Sequence, residues 1–286
     1  GLINEVPRAY ELTRLARAAH PNLKIMGGGP HMGFLYEEAF EHGDFDVIVQ
    51  HEGEDVIGPI ADILLHFPAD RQAPELAKIG GIAYKQGNAT VLTPKRRTIN
   101  SDFVELPDYS AVVGLSPQTP WAAGVLETVR GCTENCSYCE VIKQFLGYRM
   151  VQREVEWKRL EQLQRLADDG LIMRSPVDGR FAVFVTDDLH PPPSRATKFH
   201  QERLERVRSW KGRSDGMFLI CQTRAELGDS PEMAEALRSI GMDMLYIGVE
   251  SNNAENLAAV KKRQTPDDVD RNLRALQAMG FINVAM

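Results

Sequence analysis

Arg130-Gly131-Cys132-Thr133-Glu134-Asn135-Cys136-Ser137-Tyr138-Cys139 follows directly on an apolar run from Gly124 to Val129. The run fits a strand, and the strand ends in a loop that carries three thiols at C-x3-C-x2-C spacing. Three is the informative count. A cubane iron–sulfur cluster ordinarily takes four cysteines, so three leave one iron open to a ligand that is not protein. A structural zinc site needs a fourth ligand. The remaining cysteine, Cys221, lies far downstream in the apolar run Met217 to Cys221, where it reads as a small buried strand residue. A disulfide framework does not fit, because four cysteines in 286 residues do not staple a mini-domain.

The length is enough for two domains, each with its own core. The net charge is −7 and the pI about 5.6. No Lys/Arg tract is interleaved with aromatics, so no nucleic-acid partner is expected. No apolar run reaches transmembrane length, and the first residues do not read as a signal peptide. Together with thiols free to ligate metal, this predicts a reducing, cytoplasmic setting. Residue 1 is Gly, and the chain stops on the strand-like run Phe281 to Met286. Both ends read as those of a fragment.

Around the cysteine loop the chain alternates strands and helices. Val6 to Ala19 is an amphipathic helix by its spacing, Leu23 to Met26 a short buried strand, Phe34 to His42 a helix and Phe45 to Val49 a strand. Another helix opens after Glu52-Gly53-Glu54 and runs to His66. This is a parallel α/β pattern over residues 1–66. Residues 67–123 differ. Ile79 to Lys85 and Ala89 to Leu92 flank Gln86-Gly87-Asn88, a hairpin signal, and a proline-punctuated stretch follows. Here the expectation is a hairpin and an interdomain linker. From 124 to 286 the strand candidates are 125–129, 181–185, 217–221, 244–248 and 282–286. Helices fit 153–167, 196–210, 231–240, 254–261 and 266–279. Five βα-type repeats predict an incomplete parallel barrel, whose site lies at the C-terminal ends of its strands.

The cysteine segment closely resembles that of radical S-adenosylmethionine (SAM) enzymes, and Tyr246-Ile247-Gly248-Val249-Glu250-Ser251 resembles their I-G-[IV]-E-S segment. Upstream, Gly27-Gly28-Gly29-Pro30-His31 and Gln50-His51-Glu52-Gly53-Glu54 resemble the G-G-P-H and G-E-G-E patterns of a cobalamin-binding domain, with His51 in place of a usual glycine. The chain is thus similar to cobalamin-binding radical SAM enzymes. That resemblance implies the second half of a Rossmann-like cobalamin-binding domain at 1–66, then a radical SAM core at 124–286, a (β/α)6-type partial TIM barrel cut short at its C-terminus.

It also implies roles. Cys132, Cys136 and Cys139 would hold a [4Fe-4S] cluster whose open iron binds SAM. Tyr138 would lie by the adenine of SAM or pack beside the cluster. Glu250 would accept hydrogen bonds from the ribose hydroxyls or ammonium of SAM, with Ser251 beside it, although a helix-capping serine is the bland reading. Asp187 and Asp188 follow a strand in a segment similar to a paired-Asp pattern of the same proteins. Asp187 would reach SAM or substrate and Asp188 would cap the turn, while two plain loop acids fit the local sequence as well. Arg224 would pair with the carboxylate of SAM or, more simply, with Glu226. Gly28 and Gly29 would let the cobalamin tail approach the backbone. His31 is expected to pack rather than ligate cobalt, and Lys261-Lys262-Arg263 to be a solvated helix end.

The activity implied is reductive cleavage of SAM to a 5′-deoxyadenosyl radical, used for cobalamin-dependent methylation of an unactivated carbon. The partners implied are a small-molecule substrate and a reductant such as flavodoxin or ferredoxin. The alternatives are a cobalamin-free rearrangement or cyclisation, and a non-enzymatic iron–sulfur or zinc-binding protein.

Overall fold

A computed structural model describes residues 4–95 and 107–286. The chain divides into two compact units. One comprises 4–95 together with 143–146, the other 107–142 with 147–286. The part of the expected linker at 96–106 lies outside the described residues.

In the first unit Val6–Ala19 forms α1, Met26–Gly27 β1, Pro30–Phe34 α2, Tyr36–His42 α3 and Val47–Val49 β2. Ile57–His66 (α4), Ala69–Leu76 (α5), Ile82–Gln86 (β3) and Ala89–Leu92 (β4) complete it. The sheet order is β1-β2-β3-β4, with β1 and β2 parallel and the other pairs antiparallel. Strand β2 is apolar throughout because both its faces are covered. Val47 and Val49 pack with Ile60, Ile63 and Leu64 of α4, while Ile48 packs with Val6 and Tyr10 of α1 and Phe40 of α3.

Four expectations shift here. The strand expected to be buried over Leu23 to Met26 is Met26–Gly27, with Leu23 and Met26 both exposed. The hairpin is not a separate segment, since Val47 pairs with Tyr84 and so joins it to the first sheet. Helix α5, with Pro74 inside it, was not expected. The helix predicted over Phe34 to His42 is broken at Leu35 (φ −108°, ψ 46°) into α2 and α3. His51 stands at φ +58°, the left-handed region that glycine fills without strain, which accounts for the glycine of the resembled pattern.

In the second unit Ala123–Leu126 forms β5 and Val129–Arg130 β6; a short helix α6 (Val141–Gln144) follows the cysteine loop, its last two residues counted with the first unit. Arg149–Met150 (β7) pairs antiparallel with β6. Then come α7 (Arg153–Asp168), β8 (Phe181–Val185), α8 (Thr197–Ser209), β9 (Met217–Thr223) and α9 (Pro231–Ser239). The chain continues through β10 (Met242–Ile247), α10 (Ala254–Ala259), α11 (Pro266–Ala278) and β11 (Ile282–Ala285). The order β11-β10-β9-β8-β5 is parallel throughout, the sheet of an incomplete (β/α) barrel. Its core joins Val183, Val185, Leu219 and Leu245 to Leu160, Leu163, Val207 and Leu237 of the covering helices. All the expected strands from 181 onward form, because each is a β-rich apolar run bounded by turn residues. No helix among the described residues is long and apolar enough to cross a membrane.

Candidate active site

The parallel strands of the second unit all point the same way, so the loops after β8, β9 and β10 gather at one end, and there they meet the cysteine loop, which follows β5 by way of β6. A cleft of about 200 Å³ opens there, lined by Cys132, Cys136 and Cys139 together with Tyr138, Asp188, Arg224, Glu250 and Lys262. Cys136 is buried and the other two thiols are half-buried. Burial pushes the Cys132 thiol up to about 11 and raises that of Cys139. The loop is tied internally by Cys139 N donating to Cys136 O at 3.2 Å, and to the end of α10 by Ser137 N donating to Val260 O at 3.1 Å.

Asp187 and Asp188 anchor the start of this loop. The Asp187 carboxylate is fully buried and accepts from Thr128 N (2.6 Å), Thr128 Oγ1 (2.5 Å), Val129 N (2.8 Å) and His190 Nδ1 (2.8 Å). It therefore lies behind the cleft, not in it, as a strut between the end of β8 and the strand that feeds the cysteines. Burial alone would raise its pKa, but the hydrogen bond and charge of His190, with Arg203 and Thr128, hold it below the usual aspartate range. Asp188 is the acid that faces the cleft. It accepts from Gly131 N at 2.8 Å, and burial raises its pKa to about 6 against that bond.

Glu250 lines the cleft. Its φ of +66° is unusual for a non-glycine residue. Val249 N and Glu250 N both donate to Met286 O at 3.0 Å, which fixes this conformation. Such a conformation persists only where surrounding contacts hold it. Its partner was missed in the sequence. Lys262 Nζ lies 2.8 Å from Glu250 Oε1 and 3.4 Å from Tyr138 Oη. Lys262 is 5% exposed, so the trio at 261–263 is not simply a solvated helix end. It follows α10 in a loop where Lys261 and Arg263 take φ of +56° and +53°, and this turns the intervening Lys262 inward. Gly248 leaves room for this pair: a Cβ there would lie 2.7 Å from Lys262 Nζ and 3.0 Å from Glu250 Oε1 and would push the two side-chain ends aside. Burial would raise the Glu250 carboxyl, but Lys262 and Tyr138 outweigh it and keep it below the usual range.

Two other expected residues sit differently. Ser251 Oγ accepts from Asn253 N at 3.1 Å in the turn before α10 and does not line the cleft, so it is placed as a turn residue. Arg224 does line it, but its fork is engaged. Nε and Nη2 donate to Glu226 at 3.0 and 2.8 Å, and Nη2 also donates to Lys262 O. Nη1 faces Cys136 Sγ at 4.0 Å. Cys221 is buried in the core, its thiol donating to His190 O at 3.2 Å. In the first unit, Gly28 follows β1, and a Cβ there would lie 3.3 Å from Val49 O. Gly29 takes φ +86° as the residue that starts α2, and His31 is paired with Glu38 at 3.1 Å.

The donor set can be tested against a metal group. Among the described residues no three His, Cys, Asp or Glu side chains converge as ligands of one ion would. Three thiols spread around one cleft fit the separate irons of a cluster, each needing one sulfur.

The Radical SAM superfamily profile matches residues 126–286. An uncharacterized methyltransferase of Pyrococcus horikoshii is 26% identical over 266 residues, covering 90% of this chain and 52% of the relative. An anaerobic magnesium-protoporphyrin IX monomethyl ester cyclase of Cereibacter sphaeroides is 23% identical over 283 residues, covering 94% and 42%. Among solved structures, the cobalamin-dependent S-adenosylmethionine radical enzyme OxsB, with aqua-cobalamin and S-adenosylmethionine bound, superposes with a TM-score of 0.72 at 18% identity. That match covers 98% of this chain and 39% of the other. The chain thus spans about half the length of the relatives it matches, and its α/β fold is that of OxsB.

Proposed function

The chain belongs to the radical SAM superfamily, and on that footing we propose that its protein is a SAM-cleaving enzyme, a cobalamin-dependent methyltransferase acting on an unactivated carbon. The observation that carries this reading is that the three cysteines share one cleft with Glu250 at the strand ends. Cys132, Cys136 and Cys139 would hold a [4Fe-4S] cluster with one iron left for SAM. When bound, the cluster supplies the electron that splits SAM to a 5′-deoxyadenosyl radical, and cobalamin supplies the methyl group.

The chain's own residues bind and orient. Lys262 and Tyr138 hold the Glu250 carboxylate at the cleft wall, where it would accept from the ribose hydroxyls or ammonium of SAM. Gly248 gives that pair its room. Asp188 is a second acceptor at the wall. Arg224, with its fork closed on Glu226, is a poor candidate for the carboxylate of SAM.

The test is anaerobic reconstitution with iron and sulfide, followed by electron paramagnetic resonance with and without SAM. SAM is expected to perturb the reduced cluster's spectrum. Glu250→Gln is expected to weaken SAM binding roughly 10- to 100-fold, the loss of one or two charge-assisted hydrogen bonds, with iron content unchanged. Unchanged affinity removes Glu250 from the site, and a wild-type spectrum indifferent to SAM rejects the reading.

The cobalamin assignment has its own check, made on the longer protein. Small residues at a strand end suit a bulky cofactor tail, and Gly28 and Gly29 stand there. Gly28→Val is expected to abolish cobalamin retention and leave iron content at the wild-type level. A second reading, cyclisation or rearrangement without methyl transfer, is favoured by the cyclase relative. Wild-type protein that retains no cobalamin yet cleaves SAM would select a cobalamin-free reaction.

A further inference from the structure

An alternating chain of charges runs into the cysteine loop and ends at a sulfur. Glu134 lies midway between Cys132 and Cys136, is itself buried, and takes Arg195 Nη2 at 2.5 Å. Arg195 Nη1 reaches Glu226 Oε1 at 2.9 Å. Glu226 grips Arg224 through both carboxylate oxygens. Arg224 presents Nη1 to Cys136 Sγ, and Cys136 is the most buried of the three thiols.

A surface pair would be worth little. This arrangement is not one, since the Arg224 and Glu226 side chains are only 6% and 12% exposed. A guanidinium taken out of water is costly unless compensated. Glu226 compensates Arg224, and Arg195 bridges Glu226 to Glu134, so the chain keeps one nitrogen of Arg224 fixed at one sulfur. Hydrogen bonds and positive charge at a cluster sulfur favour the more negative, reduced form and raise its potential.

Resting on the cluster reading above, we infer that Arg224, held by Glu226 and Arg195, is a positioning residue that donates to the Cys136 sulfur and raises the cluster's midpoint potential. Its task is to bring a cluster within reach of a low-potential electron donor, and the recognition of SAM falls to Glu250, which Lys262 and Tyr138 hold at the cleft.

Redox titration of the reconstituted, SAM-free protein, followed by electron paramagnetic resonance, tests this. The potential is expected to fall in Arg224→Met and by less in Arg195→Met, since each removes positive charge from the chain. Arg224→Lys, which keeps the charge, is expected to lie between wild type and Arg224→Met. With 15N-labelled arginine, pulsed resonance is expected to show nitrogen coupling to the wild-type cluster that Arg224→Lys abolishes. Wild-type potentials in both methionine variants, with the cluster assembled, overturn the inference. Should Arg224→Met not assemble, Arg195→Met and the nitrogen coupling decide alone. Failure of the wild type to take up a cluster would instead reject the reading on which this rests.

Discussion

Cys132→Ala, Cys136→Ala and Cys139→Ala are each expected to lose nearly all reconstituted iron and sulfide, while Cys221→Ala keeps the wild-type amount. The three thiols line the cleft, whereas Cys221 lies within the sheet and gives its hydrogen to His190 O. A cubane left with two protein ligands exposes two irons to solvent, so it is labile. Cys221→Ala instead trims a buried sulfur and is expected to cost about 1–2 kcal/mol of stability by cavity formation. Iron and sulfide analysis beside a thermal melt separates the two effects. Iron retained by Cys136→Ala, or lost in Cys221→Ala at an unchanged melting temperature, would overturn the ligand assignment.

What the sequence made legible was whatever is local. The five sheet strands of the second unit are apolar runs closed by turn residues, and the cysteines are a short motif, so both can be read without a fold. Glu250 was readable because it follows a strand and a glycine within three residues. Lys262 was not, since a basic trio after a helix looks like a solvated end. Only the two left-handed residues beside it turn its side chain inward, and no residue type announces that. Which of Asp187 and Asp188 faces the cleft was not legible for a similar reason. Adjacent residues at a strand end point opposite ways, but which of them faces the ligand depends on where the strand stops. The Glu134, Arg195, Glu226 and Arg224 chain joins segments up to 92 positions apart, beyond the reach of any spacing rule.

Asp187→Ala is expected to cost about 3–5 kcal/mol, the range for removing one partner from a buried, hydrogen-bonded charge. The loss strands three donors, Thr128 N, Thr128 Oγ1 and Val129 N, in a place water does not reach, and leaves His190 without the acceptor for its Nδ1 hydrogen. For a unit of this size that corresponds to a fall of roughly 10 °C in melting temperature. The dependence on pH distinguishes this from a simple cavity. The folded-state pKa of Asp187 lies below its unfolded value, so its contribution is present above the ordinary aspartate pKa and is lost as pH falls through the folded one. Asp188 works with the opposite sign. Raised to about 6, it binds more protons folded than unfolded, and so costs stability as pH rises from about 4 to about 6. Removing Asp187 also removes a like charge that helps to raise Asp188. Melts of the metal-free variant from pH 3 to 8 should therefore show both a flatter acid limb and a shallower decline between pH 4 and 6 than the wild type. A variant melting within about 2 °C of wild type at pH 7 would mean that Asp187 is not the strut of the cysteine loop.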